Sequence, residues 1–227
     1  MIRDPEITQA FLDSVRSFVN ERLIPAENTV AETDQIPEDI VQEMKAMGLF
    51  GLTVPEEYGG LGVTMEEESL IMFEMGRTSP AFRSLFGTNN GIAGQVVARF
   101  GSDAQKQAWL PGLAAGELIG SFALTEPEAG SDPAGLRTTA RRDGDGWVLN
   151  GAKRWIGNGT FCDHMVVWAR DTETNKVLGF VVHRDNPGMA TTKIENKIAL
   201  RSVQNADVTF TDCRVPEADR LQEARSF

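Results

Sequence analysis

The sequence predicts an α+β protein, with an N-terminal all-helical domain at residues 1–117 followed by a mostly antiparallel β-sheet or barrel domain at residues 118–227. Three observations favour this fold class. Apolar residues of the first half recur at intervals of three and four, the period of an amphipathic helix. The same half contains two capping-box sequences, which mark helix starts. From Leu118 onward, short runs rich in Val, Thr, Phe and Trp alternate with Gly, Asp and Asn, as in strands and turns.

Start and stop signals define the first two helices. Asp4 is a good N-cap residue, and Pro5 suits the first helical position. The apolar face that this helix would bury consists of Ile7, Phe11, Val15 and Phe18. A second helix is expected after Ile36, with Pro37 at its first position and Gly48 as its stop.

Further helices are predicted by their caps. Thr64 with Glu67, and Ser102 with Gln105, match the capping box, in which each side chain bonds the backbone of the other residue. The segment 80–100 also reads as helix, although each of its three glycines weakens a helix by about 1 kcal/mol relative to alanine.

Strands are predicted in the second half at 138–142, 147–150, 165–169, 178–183 and 207–215. The first two flank an Asp-Gly-Asp-Gly sequence at 143–146, whose residues tolerate the positive φ angles of a hairpin turn. With no repeat or long linker between the halves, they are expected to pack together near Glu117. Such a junction is a plausible cleft.

Charge and composition exclude several classes of function. The chain carries a formal net charge of -11 and has no basic run, so neither nucleic acid nor an anionic membrane is an expected partner. It lacks the roughly 20 apolar residues of a membrane span and the layout of a secretory signal, which favours a cytoplasmic location. The spacing of its two cysteines and two histidines predicts neither a metal site nor a disulfide framework.

The most informative stretch runs from Phe122 to Gly135, where an apolar strand continues directly into a polar turn of small residues. Thr125 and Ser131 carry hydroxyls that donate or accept hydrogen bonds, and Gly130 lets backbone amides approach an anion. These residues fit the cradle of a polar ligand. Taken alone, they are more typical of an ordinary strand that ends in a turn.

Two segments resemble signatures of the acyl-CoA dehydrogenase and oxidase superfamily. Residues 123–135 match the first signature position by position, and residues 150–158, Asn-Gly-Ala-Lys-Arg-Trp-Ile-Gly-Asn, are similar to the strand and turn that line the flavin. The likeness extends over essentially the whole chain, including 55–60, 101–106 and 215–217. It implies an FAD enzyme and identifies this chain with its N-terminal and middle domains, without the C-terminal helical domain.

The resemblance implies which residues hold FAD. Thr125 is expected at the pyrimidine edge of the flavin, and Ser131 near phosphate and acyl-CoA. Trp155 is expected to flank the isoalloxazine and exclude water, although an isolated tryptophan would be expected in the core of a sheet. The expected cofactor contacts are Phe122, Ala123, Leu124, Thr125, Gly130, Ser131, Trp155, Ile156 and Gly157.

Two departures bear on the branch of the superfamily. A Thr or Ser that bonds flavin N5 is common two places after the tryptophan, and this chain has Gly157. The sequence around Gly157, together with residues 198–205, is most similar to short-chain acyl-CoA oxidases. In that case a backbone amide would replace the hydroxyl as the donor to flavin N5, and the smaller residue would admit oxygen. Arg83 and Ser84 fall where glutaryl-CoA dehydrogenases meet the acyl end of the substrate. A solvated Arg83, or one paired with Glu74, is an equally good interpretation.

The resemblance also implies the reaction. A glutamate takes the α-proton of an acyl-CoA thioester while a hydride leaves the β-carbon for the flavin, giving the trans-2-enoyl-CoA. An electron-transfer flavoprotein or oxygen is the implied acceptor, and the full-length form is expected to be a homo-oligomer. The family carries its glutamate in the C-terminal domain, so no catalytic residue is assigned here, and Glu126, Glu128 and Asp132 are not given that role.

The chain alone is therefore expected to be inactive and to retain flavin weakly or not at all. The alternative is a non-catalytic flavin-binding or acyl-CoA-binding fragment or subunit. A hydrolase is disfavoured, because the sequence has no G-x-S-x-G elbow. A dinucleotide fold is disfavoured too, because the glycines at 59–62 lack the third glycine and do not open a helix after a strand.

Overall fold

The computed structural model describes residues 2–224. Its helical half runs to residue 115, and two π-helical turns, Val19–Leu23 and Asn89–Ala93, join α1 to α2 and α5 to α6. The helices are α1 (Pro5–Phe18), α2 (Ile24–Thr33), α3 (Glu38–Ala46), α4 (Met65–Met75), α5 (Pro80–Thr88), α6 (Gly94–Phe100) and α7 (Asp103–Ala115).

The predicted helix starts are confirmed at three of four places. Asp4 caps α1 by accepting two backbone N–H groups, and both capping boxes form at the starts of α4 and α7. The fourth is shifted by one residue, because Pro37 is the N-cap of α3 and Glu38 is its first residue. The predicted buried face of α1 is wrong at its beginning, since Ile7 is 69% exposed and the fully buried positions start with Leu12.

The second half forms one seven-stranded sheet within the described residues. Its strands are β1 (Gly120–Ala123), β2 (Thr139–Asp143), β3 (Gly146–Gly157), β4 (His164–Asp171), β5 (Val177–His183), β6 (Met189–Lys193) and β7 (Asn205–Pro216). Their order in the sheet is β1-β4-β2-β3-β7-β6, with β5 paired to β4. The predicted hairpin joins β2 to β3, with Gly144 at a φ of 62° in its two-residue turn.

The sheet is mostly antiparallel, as the sequence predicted, but two parallel pairings make it a mixed sheet. β4 runs parallel to β1 along residues 164–167 and parallel to β2 along residues 170–171. Parallel neighbours need a long connection. Here residues 124–163, which include β2 and β3, connect β1 to β4, and residues 144–163, which include β3, connect β2 to β4.

The two halves pack together through an apolar layer between α6, α7 and the outer face of β4 and β5. Val97, Leu110 and Leu113 of the helices meet Val166 and Trp168 of β4 there. The buried Asn89, in the π-helical turn, donates to the carbonyls of Leu113 and Leu118 and accepts from the Gly120 amide at 2.7 Å. The junction expected near Glu117 is therefore a bonded interface. None of the helices within residues 2–224 has the length and apolar character that crossing a bilayer requires.

Candidate functional site

The polar stretch after β1 forms a closed turn. The Glu126 amide donates to the Ala129 carbonyl at 2.9 Å, and the Ala129 amide donates back at 3.3 Å. Gly130 and Ser131 follow this turn and are exposed. A Cβ at Gly130 would meet no atom within 4 Å, so the space beside its backbone is open to a ligand. The turn thus presents the two small residues that the sequence predicted.

Trp155 lies at a β-bulge in β3, next to the cradle formed by Thr125 and the turn at residues 126–131. The pairing of β3 with β7 shifts register between Lys153 and Ile156, and Trp155 has a φ of 63°. A bulky residue at positive φ stores strain of order 1–3 kcal/mol, and such strain is typical of functional sites. The preceding amide of Arg154 donates to the Thr125 carbonyl at 2.9 Å, which joins the bulge to the end of the predicted flavin-binding strand.

The Trp155 side chain faces solvent and is not in the core. It is 51% exposed, and the Arg154 guanidinium lies over its ring at 5.3 Å. Arg154 also pairs with Asp207 of β7 at 3.6 Å. The alternative of a core tryptophan is therefore wrong. A large flat apolar surface is held on β3, close to Thr125 at the end of β1.

Side chains of the cradle strand, which is β1 with the two residues that follow it, alternate between the two faces of the sheet. Ala123, and likewise Ile156 of β3, are buried in the core of the sheet, so only their backbones can contact a ligand. Phe122 and Leu124 point to the opposite face and are half-buried. Phe122 packs edge-on against Trp168 and lines a cleft of about 530 Å³ between α4, α6 and β1.

Gly157 ends β3 in open space. Its carbonyl accepts from the Ser121 hydroxyl at 2.8 Å, and a Cβ built on it would contact no atom within 4 Å. The backbone there does not require glycine. The next residue, Asn158, donates to the carbonyl of Leu85 in α5 at 3.0 Å. This bond brings the end of β3 close to Ser84, which lines a cleft of about 340 Å³ that Asn158 also lines.

Arg83 and Ser84 diverge from each other on α5. Arg83 is exposed, and its guanidinium lies 3.0 Å from the position that a Cβ of Gly87 would take. Burial raises the pKa of Glu68 on α4, and the positive charge of Arg83 partly offsets this rise. The suggested pairing of Arg83 with Glu74 is wrong, because Glu74 forms ion pairs with Arg16 at 2.7 Å and Arg77 at 3.0 Å.

A buried ion pair beneath the cradle was missed by the sequence analysis. Lys153 has a side-chain exposure of 0%, and its ammonium lies 2.9 Å from the Glu126 carboxylate. The same carboxylate accepts the amides of Arg137 at 2.6 Å and Thr138 at 2.9 Å. Burial raises the pKa of Glu126, but these donors outweigh burial and hold it below its ordinary value. Burial lowers the pKa of Lys153, and Glu126 offsets part of this effect.

The structure thus unites some of the predicted residues and separates others. Thr125, Trp155 and Gly157 lie where β3 meets the region of β1, joined through the bonds of Arg154 and Ser121. Arg83 lies apart from them, on α5. The signal that would have revealed Lys153 is its place in the second signature, two residues before Trp155. The alternation of side chains within a strand also favoured burial of Lys153, but no local sequence pattern indicated that Glu126 is its partner.

Comparison with known proteins gives the family. The acyl-CoA dehydrogenase N-terminal domain matches residues 5–117, and the acyl-CoA dehydrogenase middle domain matches residues 121–213. The short-chain specific acyl-CoA dehydrogenase of Homo sapiens is 36% identical over 222 residues, which cover 96% of this chain and 54% of that protein. The chain therefore spans about half the length of the curated relatives it matches.

Solved structures agree in fold. A glutaryl-CoA dehydrogenase from Mycobacterium smegmatis, in complex with FADH2, superposes with a TM-score of 0.92 at 35% identity, covering 99% of this chain and 57% of that one. A prolyl acyl carrier protein oxidase superposes with a TM-score of 0.89 at 28% identity, covering 98% of this chain and 60% of that one. The bulged strand and its cradle thus occur in a chain that belongs to the acyl-CoA dehydrogenase family, of which it carries the N-terminal and middle domains.

Proposed function

We propose that this chain binds FAD where the end of β1 meets β3, at the surface formed by Thr125, the 126–131 turn and Trp155, as part of an enzyme that converts an acyl-CoA to the trans-2-enoyl-CoA. The observation that carries the proposal is Trp155, an apolar side chain held half-exposed at a strained position beside the cradle. A half-exposed aromatic ring offers a ligand a large flat apolar surface, and strained backbone positions are concentrated at functional sites. Membership in a family of flavin enzymes supports the same site.

The residues present fit FAD. A Cβ at Gly130 or at Gly157 would meet no atom within 4 Å, so the backbone at both positions is open to the phosphates or the ring of FAD. The Thr125 hydroxyl serves as a donor to the pyrimidine edge, and the Ser131 hydroxyl meets the phosphates. Trp155 excludes water from one side of the ring. Bound FAD supplies the two-electron acceptor for hydride from the β-carbon of the substrate.

The acids of the cradle serve as structural groups in this proposal. Glu126 already accepts from Lys153, Arg137 and Thr138, so its oxygens are committed to the turn. Glu128 is exposed and pairs with Arg137. A base must reach the α-proton of the substrate directly or through one water. We infer that the catalytic glutamate lies outside residues 2–224, and that the isolated chain is inactive.

Substrate contacts are proposed on α5. Ser84 and Asn158 line the same cleft, and we propose that the Ser84 hydroxyl meets the acyl end of the thioester there. Arg83 offers a cation to a dicarboxylate substrate only if its guanidinium leaves Gly87 and turns toward that cleft. An acyl group without a distal carboxylate therefore fits the observed arrangement better.

The electron acceptor depends on access to the flavin. The open space at Gly157 supports oxygen as the acceptor, because no side chain would cover the ring at this point. An electron-transfer flavoprotein is the alternative. With FAD reduced on the chain, rapid reoxidation in aerated buffer that slows in Gly157→Thr supports oxygen. Reduced flavin that persists in air for minutes but reacts quickly with an electron-transfer flavoprotein contradicts it.

FAD titration tests the binding site. Trp155→Leu should raise the Kd for FAD about ten-fold, the scale expected when an aromatic stacking surface is lost. The matched control is Phe73→Leu, which shortens another exposed aromatic on α4, outside the site. An equal change in both variants would contradict the site.

A panel of acyl-CoA thioesters with an artificial electron acceptor tests the chemistry. Binding of FAD and acyl-CoA without turnover is the expected result for this chain. Turnover would refute the inference that the base lies elsewhere. Failure of a longer chain, extended to the length of the relatives, to turn over any thioester would favour the alternative of a non-catalytic binding module.

Assembly and location stay predictions. A homo-oligomer is expected for the full-length form, and sedimentation of the longer chain checks it. A cytoplasmic location is likewise untested, and the human relative is mitochondrial by name. Fractionation of cells that express the chain would decide this point.

A further inference from the structure

Lys153 joins three elements at one buried point. Its ammonium donates to the Leu124 carbonyl at 3.1 Å, to the Trp168 carbonyl at 2.7 Å and to Glu126 at 2.9 Å. An ammonium has three donors, and here each has an acceptor. The side chain of β3 therefore holds the end of the cradle strand, the following turn and β4 in a fixed relation.

The bonds of β3 to the cradle come in sequence. Lys153 bonds the carbonyl of Leu124, and the next residue, Arg154, donates its amide to the carbonyl of Thr125. Two successive residues thus hold two successive carbonyls immediately before the bulge at Trp155. These bonds lie outside the regular pairing of β3, which joins β2 and β7.

Glu126 extends this arrangement to the far side of the turn. It accepts from Lys153 and also from the amides that start the return toward β2. Charged groups are buried at high cost unless they are paired and fully hydrogen-bonded. Replacing such a pair by apolar groups of similar volume is often neutral, so fold stability alone does not explain why a lysine stands here.

We propose that Lys153 is a positioning residue for the flavin cradle, holding Thr125 against the Trp155 bulge through its bonds to the Leu124 carbonyl and to Glu126. The inference rests on the proposed function, because the cradle matters as a flavin site. Its geometric part concerns this chain alone and is measurable without flavin. Lys153 acts through Thr125 and Trp155, and the reacting atoms are not its contacts.

Three variants separate positioning from charge neutralisation. Lys153→Met removes the link and leaves Glu126 unpaired. Lys153→Met/Glu126→Gln removes the unpaired charge as well but does not restore the bond to Leu124. Glu217→Gln is the matched control, since Glu217 also accepts from several donors in the same half, among them groups of Trp147, Arg142 and Arg220. Its partner Trp147 lies near the other end of β3, and the distance along the strand from Trp147 to Lys153 is about 20 Å at roughly 3.3 Å per residue.

The first measurement is amide exchange of the flavin-free chain by NMR. Exchange of the Arg154 amide, which marks the bond to Thr125, should accelerate at least about ten-fold in Lys153→Met and in the double variant, the scale of losing one charge-assisted hydrogen bond. The Val148 amide serves as the internal reference. Unchanged protection of Arg154 in both variants overturns the proposal, whether or not the chain binds FAD.

The second measurement is FAD affinity. The double variant should regain thermal stability relative to Lys153→Met, yet both should bind FAD about ten-fold more weakly than the unchanged chain. Glu217→Gln should lose stability and keep its affinity. Full affinity in the double variant overturns the positioning role and leaves charge neutralisation. If the unchanged chain binds no FAD, the proposed function fails. The exchange rate of the Arg154 amide then still tests whether Lys153 holds Thr125 against the Trp155 bulge.

Discussion

Glu67 in the helical half and Glu126 in the β half are both buried carboxylates that hold a loop, but their cations differ. Glu67 binds the Thr64 amide at 2.7 Å and the Arg3 guanidinium at 3.2 Å, and Arg3 is 46% exposed. Glu126 binds Lys153, which has no exposed side-chain surface. Water can solvate Arg3 when its partner is lost, whereas Lys153 would remain as a charge without solvent. The difference predicts how strongly each half depends on its acid.

The largest effect is expected at Glu126. Glu126→Gln leaves the Lys153 ammonium buried beside a neutral amide, and removing one partner of a buried pair costs roughly 3–5 kcal/mol. The measurement is the free energy of unfolding in urea. Glu128→Gln is the control, because Glu128 and its partner Arg137 are exposed, and such pairs contribute about 1 kcal/mol or less. Equal losses in the two variants would show that the Glu126 pair is effectively solvated.

A smaller loss is expected from Glu67→Gln. The side-chain oxygen of the substituted glutamine still accepts one hydrogen bond. Arg3 stays solvated and keeps its ion pair with Glu56 at 2.9 Å. Loss of hydrogen bonds to a charged group costs about 1.5–3 kcal/mol. The same urea titration measures it, with Glu57→Gln as an exposed neighbour for control. A loss larger than that of Glu126→Gln would reverse the comparison.

Acid should remove the contribution of Glu67. Backbone hydrogen bonds from Thr64 and Arg3 are the main cause that lowers its pKa from 4.5 to about 2. A carboxyl with a lowered folded-state pKa stabilises the fold above its unfolded pKa, and this stability is lost as the pH falls through the folded value. The difference in unfolding free energy between the unchanged chain and Glu67→Gln should therefore shrink from pH 4.5 toward pH 2. A constant difference would contradict the lowered pKa.

The same contrast explains what could be predicted from sequence. The Thr64–Glu67 box is local, because its two residues are three apart and bond each other's backbone, so its pattern is written in the sequence. The Glu126–Lys153 pair joins residues 27 apart across two elements. Family resemblance found both segments as flavin contacts, but periodicity and spacing carry no signal for which buried lysine meets which acid.

Topology shows the same limit. The β2–β3 hairpin was predicted because its turn residues lie next to each other, and it is present. The parallel pairing of β4 with β1 and β2 was not predicted, since it depends on how the sheet closes around the junction with the helices. Likewise, the exposure of Ile7 follows from what α1 packs against, which the helical period alone does not specify.

The smallest effect is expected at the cap of α4. Thr64→Ala removes the hydroxyl that accepts the Glu67 amide at 3.3 Å, a loss of about 1 kcal/mol, or roughly 2–4 °C in Tm for a chain of this size. The Thr64 amide still donates to the Glu67 carboxylate, so half of the box survives. Ser102→Ala at α7 is the matched variant, because it removes the same kind of cap at 3.3 Å where the partner is a neutral glutamine.

Thr64→Ala combined with Glu67→Gln should cost less than the sum of the two single losses, because both act on one network. Additive losses would mean that the Thr64 hydroxyl and the Glu67 carboxylate stabilise the start of α4 independently, and that the capping box is not one coupled network.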